Sequence, residues 1–458
     1  MKPSPLTYKL SAFIKSDLFW VLLVCFTVRN IFHILNPGMP QNTDSVTYHY
    51  AAQNIFKGII DASRTPVYPI LMRISELISS SHPFRYLVVL QHVVSFLSIV
   101  PFFLLATRLI NHRVVRNVLT AIYGCFPTLL FYNYALFAEA IFIASLVFFM
   151  YLFSVFVQVP TKGKAITINL FLFFMVMIKP VSLVFYGVMA FMWLAWFWDS
   201  RDRKLLKSIA FSFLAAVILL GAYCGLNKVQ NNYGGLTSIS HDNQFINVIF
   251  SGAYREIPDK DFITAIDTTL YQGHYYTIFY LNNDHDKYQK SFEDYPLAYR
   301  HQHDMWGIFI IPSNELGYTA NNIAPYLKKA TLTWTYIKYL LHKPIDFASF
   351  RFFFITGLTV YILILLDMVF ILRNTIKLKA IDYPRALNLL MLLGLLLAFF
   401  VGGVNDGTRN RVLLPIIPFV MVQVALLVDS LVLALQKTLV QSRMQSNGVM
   451  MKNENEMK

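Results

Sequence analysis

Four short stretches place ionisable residues at or near the ends of apolar runs, where such groups are costly. The first is Asn42-Thr43-Asp44-Ser45-Val46-Thr47-Tyr48, where Asp44 follows the turn-forming Pro37-Gly38 and Pro40. The second, Arg64-Thr65-Pro66-Val67-Tyr68-Pro69, sets a cation in a rigid, proline-framed turn. The third is Glu139, which ends the run Tyr134-Ala135-Leu136-Phe137-Ala138-Glu139. The fourth is Asn405-Asp406-Gly407-Thr408-Arg409-Asn410-Arg411, where Gly402, Gly403 and Gly407 permit close backbone approach. Lys179-Pro180 adds a further cation. A carboxylate such as Asp44 or Glu139 can take the proton of a hydroxyl nucleophile. Arg64, Lys179, Arg409 and Arg411 suit a phosphate, which arginine grips bidentately. The same cations offset the charge that develops as a phosphate leaves. Tyr48, Tyr68, Asn405 and Asp406 flank these groups as substrate contacts. Plainer readings stay open: Asp44 as a helix cap, Glu139 as a first-turn acid, the cations and tyrosines as headgroup anchors.

The elements that must position these residues are apolar. The chain has 458 residues, of which 56% are hydrophobic and only 14% charged, and its mean hydropathy is +0.51. Soluble chains carry about 25% charged residues, which argues against a water-soluble enzyme, and the abundance of Phe, Tyr and aliphatic residues excludes a disordered chain. A bilayer crossing needs roughly 20 mostly apolar residues. Ten runs qualify: 18–35, 86–107, 115–133, 137–157, 165–179, 181–198, 206–226, 349–372, 386–404 and 412–435. The expected fold is an all-α polytopic membrane protein of about ten spans. The fifth and sixth runs are split only by Lys179-Pro180 and read equally as one broken pair.

The net charge of +14 is a topology signal, not a nucleic-acid one. One set of alternate connections, with both termini, holds twenty Lys and Arg against six acids, which accounts for the whole excess. That set is expected to be cytoplasmic. The opposite set contains two long segments, 36–85 and 227–348. Residues 46–60 carry Val46, Ala51, Ile55 and Ile59 on one helical stripe, as a helix lying along a membrane surface would. The second segment is polar and long enough for a small subdomain, with an amphipathic helix expected at 323–343. The domain organisation expected is 1–226 as an N-terminal transmembrane module, 227–348 as the large loop, 349–435 as C-terminal spans, and 436–458 as a polar, frayed tail.

Cys25, Cys125 and Cys224 all lie in apolar runs and give neither a disulfide framework nor a metal site. His301-Gln302-His303-Asp304 has weak metal-binding spacing, and a solvated loop accounts for it as well. No phosphate-binding glycine loop, nucleophile elbow or dinucleotide fingerprint is present.

On these motifs the chain resembles the integral-membrane glycosyltransferases of the GT-C fold, in particular the group of protein O-mannosyltransferases and lipid A aminoarabinose transferases. The carrying residues are Thr43-Asp44-Ser45 with Tyr48, Ala51-Ala52 and Gly58 after the first span; Arg64-Thr65-Pro66-Val67-Tyr68-Pro69 before the second; Glu139; Lys179-Pro180; and, more loosely, Arg411-Val412-Leu413-Leu414-Pro415. The paired acids that some members carry are absent, since Ser45 follows Asp44. The resemblance implies membrane-parallel helices in the first outer loop and a polyprenyl-phosphate-linked sugar as donor. It implies a glycan, lipid or protein hydroxyl as acceptor, and Asp44 as the general base of an inverting transfer. Glu139 would assist at the acceptor, and Arg64, Lys179, Arg409 and Arg411 would meet the donor phosphate. It leaves a divalent metal open as a cofactor. A bacterial inner membrane, with the site on its periplasmic side, is the expected location.

Two rivals share the topology. Polysaccharide polymerases and ligases place key cations in a large outer loop, but here the stretch from Lys228 to Asp346 has ten basic and twelve acidic residues. A transporter or flippase would show midplane ionisable groups and internal repeats, and the sequence displays neither convincingly.

Overall fold

A computed structural model of the chain describes residues 14–36, 43–239, 244, 247–248, 251–261, 263–264, 320–352, 355–378, 381–401 and 413–456. Each expected apolar run is mostly helical among the described residues. In chain order the helices are α1 (Asp17–Leu35), α2 (Thr43–Ile55), α3 (Val67–Ile78), α4 (Arg85–Leu97), α5 (Ile99–Leu109), α6 (Arg113–Cys125), α7 (Pro127–Tyr134), α8 (Glu139–Gln158) and α9 (Lys162–Ile178). The series continues with α10 (Val184–Ser200), α11 (Arg203–Asn231), α12 (Ala320–Thr331), α13 (Trp334–Ser349), α14 (Gly357–Leu378), α15 (Tyr383–Val401) and α16 (Ile417–Glu456). Among the described residues, nine helical stretches are long and apolar enough to cross a membrane. The chain is an all-α polytopic membrane protein. The remaining expected span, α9, has 17 residues, at the short end of what crosses a hydrocarbon core.

Two spans are bent where the sequence dictates. Pro101 has no N–H to return to the preceding turn, and the second span breaks at Ser98 into α4 and α5. Pro127 starts α7 after Phe126 turns extended, so the third span is also two helices. Helix α8 is the centre of the bundle: 72% of its span is buried, against 17% for α1. Phe142, Phe149, Phe153 and Phe156 on α8 are wholly buried. In lipid, such packing and interhelical hydrogen bonds replace the hydrophobic drive between helices. One such bond set ties α9, α10 and α11: Trp193 Nε1 donates to Asn169 Oδ1 at 3.0 Å, and Asn169 Nδ2 donates to Ser212 Oγ at 2.7 Å. Arg385 on α15 pairs with Asp367 on α14, both buried, and its guanidinium lies over Phe370. At the helix ends, Asp17 pairs with Arg113 and Arg116, and Asp429 accepts from the backbone N–H of Asn111 and His112.

Several boundaries differ from those read in the sequence. The helix expected at 46–60 is α2, which ends at Ile55 ahead of the left-handed turn at Gly58. The eighth span starts at Gly357, not 349, because Arg351–Phe352 (β1) pairs antiparallel with Ile355–Thr356 (β2) ahead of it. A Cβ on Gly357 would collide with the Phe347 carbonyl, so the close turn requires glycine. The expected helix at 323–343 is two helices, α12 and α13. They part at Leu332-Thr333, where Thr333 caps α13 by accepting from the Tyr336 N–H at 3.3 Å. Residues 436–456 are helical: α16 extends to Glu456, with no proline after Pro418 to stop it.

Candidate functional site

The loop between α1 and the second span folds into two helices, α2 and α3, and the expected candidates gather around them. Asp44 is the second residue of α2. One residue on, Ser45 Oγ donates to the Leu136 carbonyl at 3.3 Å. That bond seats the start of α2 against the turn between α7 and α8, three residues before Glu139. A second latch lies at the far end of the loop. Thr65 Oγ1 donates to the Ile178 carbonyl at 3.2 Å, which sets Arg64 and Lys179 each one residue from the same bond. Neither latch is visible in sequence spacing, since they join residues 91 and 113 positions apart.

Arg64 is 9% exposed. Its Nε and Nη2 donate to Thr47 Oγ1 at 2.9 and 2.7 Å, and its guanidinium stacks 4.3 Å above the Tyr48 ring. A guanidinium over an aromatic face is held without losing its charge. Tyr48 in turn meets Tyr68 edge-on at 4.7 Å. Tyr68 is fully buried, and its hydroxyl donates to Gln91 Oε1 at 2.7 Å. Gln91 Nε2 donates onward to the carbonyls of Asn133 and Ala135 at 2.9 and 3.0 Å. So a continuous relay of contacts runs from Arg64 through two tyrosines and Gln91 to the turn before Glu139. Tyr68→Phe should lower stability by about 1–3 kcal/mol, because Gln91 Oε1 is left buried without its donor. Thermal unfolding of the purified chain in detergent measures it.

Glu139 is the first residue of α8 and only 1% exposed. Lys179 Nζ donates to its Oε1 at 3.0 Å and lies 5.7 Å from the Phe142 ring centre. The carboxylate also benefits from the positive end of the α8 dipole. The extended Lys179 backbone and the short 3-10 turn Pro180–Leu183 aim this lysine at the α7–α8 turn.

The structure thus brings Tyr48, Arg64, Tyr68, Glu139 and Lys179 to one end of the bundle, around the helix that Asp44 opens. Asn405, Asp406, Arg409 and Arg411 lie outside the described residues, as does the His301–Asp304 stretch. Sequence reading missed Ser45, Thr47, Thr65 and Gln91 as functional positions. The one signal available was a lone glutamine inside an apolar span. It also missed a second polar group between α2 and α3, where His49 Nδ1 and Arg73 Nη1 each lie 2.7 Å from a buried Glu76 oxygen. Among the described residues, no three His, Cys, Asp or Glu side chains cluster as a metal site would require.

The end of α11 closes over this loop. Gln230 Nε2 donates to the Gly58 carbonyl at 2.8 Å, and Asn231 Nδ2 donates to the Ile60 carbonyl at 2.9 Å. Gly58 takes φ +76°, a left-handed turn that favours glycine. The chain matches no protein-family model and no curated protein.

Proposed function

We propose that the chain is a GT-C-like glycosyltransferase that moves a sugar from a polyprenyl-phosphate carrier to an acceptor hydroxyl. The observation that supports this most is the gathering of Arg64, Lys179 and Glu139 around the start of α2, through bonds from Ser45 to Leu136 and Thr65 to Ile178. Cations and a buried acid held beside a carboxylate-bearing helix start, at one end of a membrane bundle, are what a lipid-linked phosphate substrate demands.

Asp44 acts as general base and takes the proton of the acceptor hydroxyl. The hydroxyl oxygen attacks the anomeric carbon from the face opposite the phosphate. The new glycosidic C–O bond forms as the anomeric C–O bond to phosphate breaks, and the bonding pair leaves with the carrier phosphate. Arg64 and Lys179, with Arg409 and Arg411, offset the charge gained by that leaving phosphate. Glu139 holds Lys179 in place and orients the acceptor, whether glycan, lipid or protein. Tyr48, Asn405 and Asp406 contact the substrates; Tyr68, expected to do the same, is fully buried and instead backs the Tyr48 ring. A divalent metal has no assigned role in these steps. In this reading both termini are cytoplasmic, which the positive excess on the alternate connections supports, and the site faces the outer side of a bacterial inner membrane.

The flippase reading is separated by one experiment. The purified chain in vesicles is given a polyprenyl-phosphate sugar labelled in the sugar, together with a crude acceptor extract. Transfer predicts label in a product no longer soluble with the carrier lipid. Intact labelled carrier that changes leaflet without new product would contradict transfer.

A further inference from the structure

A second polar cluster sits inside the bundle, among α1, α4 and the α6–α7 pair. Arg29 on α1 is 8% exposed. Its Nε donates to the Gly124 carbonyl at 2.9 Å, and Nη1 and Nη2 both reach Ser95 Oγ at 3.2 Å. Gly124 is obligatory at this crossing, because a Cβ there would collide with Cys25 Sγ. Neither hydrogen-bond partner is charged, and among the described residues no carboxylate stands near the guanidinium. Arginine has five N–H donors, so two are left without a protein acceptor. A charge without a counter-charge inside a membrane is costly and marks function by default.

One turn along α1, His33 stacks on Tyr134 with ring centres 5.2 Å apart. His92 meets the same ring edge-on at 4.3 Å. Tyr134 is 3% exposed, and its hydroxyl is buried with no hydrogen-bond partner. His92 Nε2 is also buried and unpartnered. Buried polar groups normally find partners, and two adjacent exceptions, both within the field of the Arg29 charge, point to a missing ligand. The available donors, together with the positive charge, fit an anion with several acceptor oxygens. Helix α1 is the edge through which it would come. Phe26, Ile31 and Ile34 are more than half exposed on it, as lipid-facing residues are.

We infer that Arg29, His92 and Tyr134 bind the phosphate group of a membrane lipid that enters past α1. The site adjoins the Tyr68–Gln91 relay, since Gln91 and His92 are neighbours on α4, but it does not depend on the transfer reaction. The test is thermal unfolding of the full chain in mixed micelles. The additives are phosphatidylglycerol, a polyprenyl monophosphate, inorganic phosphate, and phosphate-free diacylglycerol. At least one phosphate lipid should raise the wild-type Tm by several degrees, and the stronger of the two names the source. Tyr134→Phe should fold at least as well without lipid, since it removes only an unpartnered hydroxyl, yet lose half or more of the lipid-induced shift. Arg29→Lys should lose it almost entirely. An equal shift from diacylglycerol, from inorganic phosphate alone, or in both variants would overturn the assignment.

Discussion

Asp44→Asn should lower kcat by roughly 10²–10⁴-fold, the range that a positioned general base contributes. The substitution keeps size and shape and removes only the basic oxygen. Asp44 lies at the second position of α2, whose seat is fixed by Ser45 on the Leu136 carbonyl. The variant should therefore keep its fold and bind the carrier lipid. Steady-state transfer, read with thermal unfolding of the same preparation, checks this: kcat collapses, while Tm and the KM for the lipid-linked donor hold. A fall in both Tm and kcat together would reduce Asp44 to a first-turn acid that stabilises α2.

Lys179→Met should have the largest effect on stability. It strips the ammonium 3.0 Å from a carboxylate that is 1% exposed. Breaking one side of such a buried pair costs about 3–5 kcal/mol, while replacing both partners with neutral groups is often close to neutral. Lys179→Met with Glu139→Gln should therefore recover most of the lost Tm. The double variant also separates structure from chemistry. If Lys179 meets the donor phosphate, the refolded double variant still shows a raised KM for donor. If its only partner of consequence is Glu139, donor KM returns to normal along with Tm.

The membrane architecture was legible because bilayer thickness imposes a length on every span, and apolar runs of that length stand out in this chain. What misled at the boundaries was apolarity with another use. Phe350, Phe352 and Ile355 look like the start of a span, yet they belong to the turn and hairpin before Gly357. Pro101 and Pro127 break spans that read as continuous, since hydropathy ignores backbone donors. At the site, Arg64, Glu139 and Lys179 were visible as charges in apolar surroundings. Their arrangement was not. The Glu139–Lys179 pair joins residues 40 apart, and the Thr65 latch joins residues 113 apart, so no local spacing encodes either. Arg29 was missed for the opposite reason. It sits in the middle of the first apolar run, where eleven or more apolar neighbours hide a single cation from any averaged reading.

The glycosyl-transfer account makes Asp44 a base in a single displacement, not a nucleophile in a double one. The most direct test is the anomeric configuration of the first product formed from a polyprenyl-phosphate sugar of known configuration, read by NMR. The account predicts the opposite configuration to that of the donor. A product that retains the donor configuration would require a sugar bound to the enzyme midway and would contradict it.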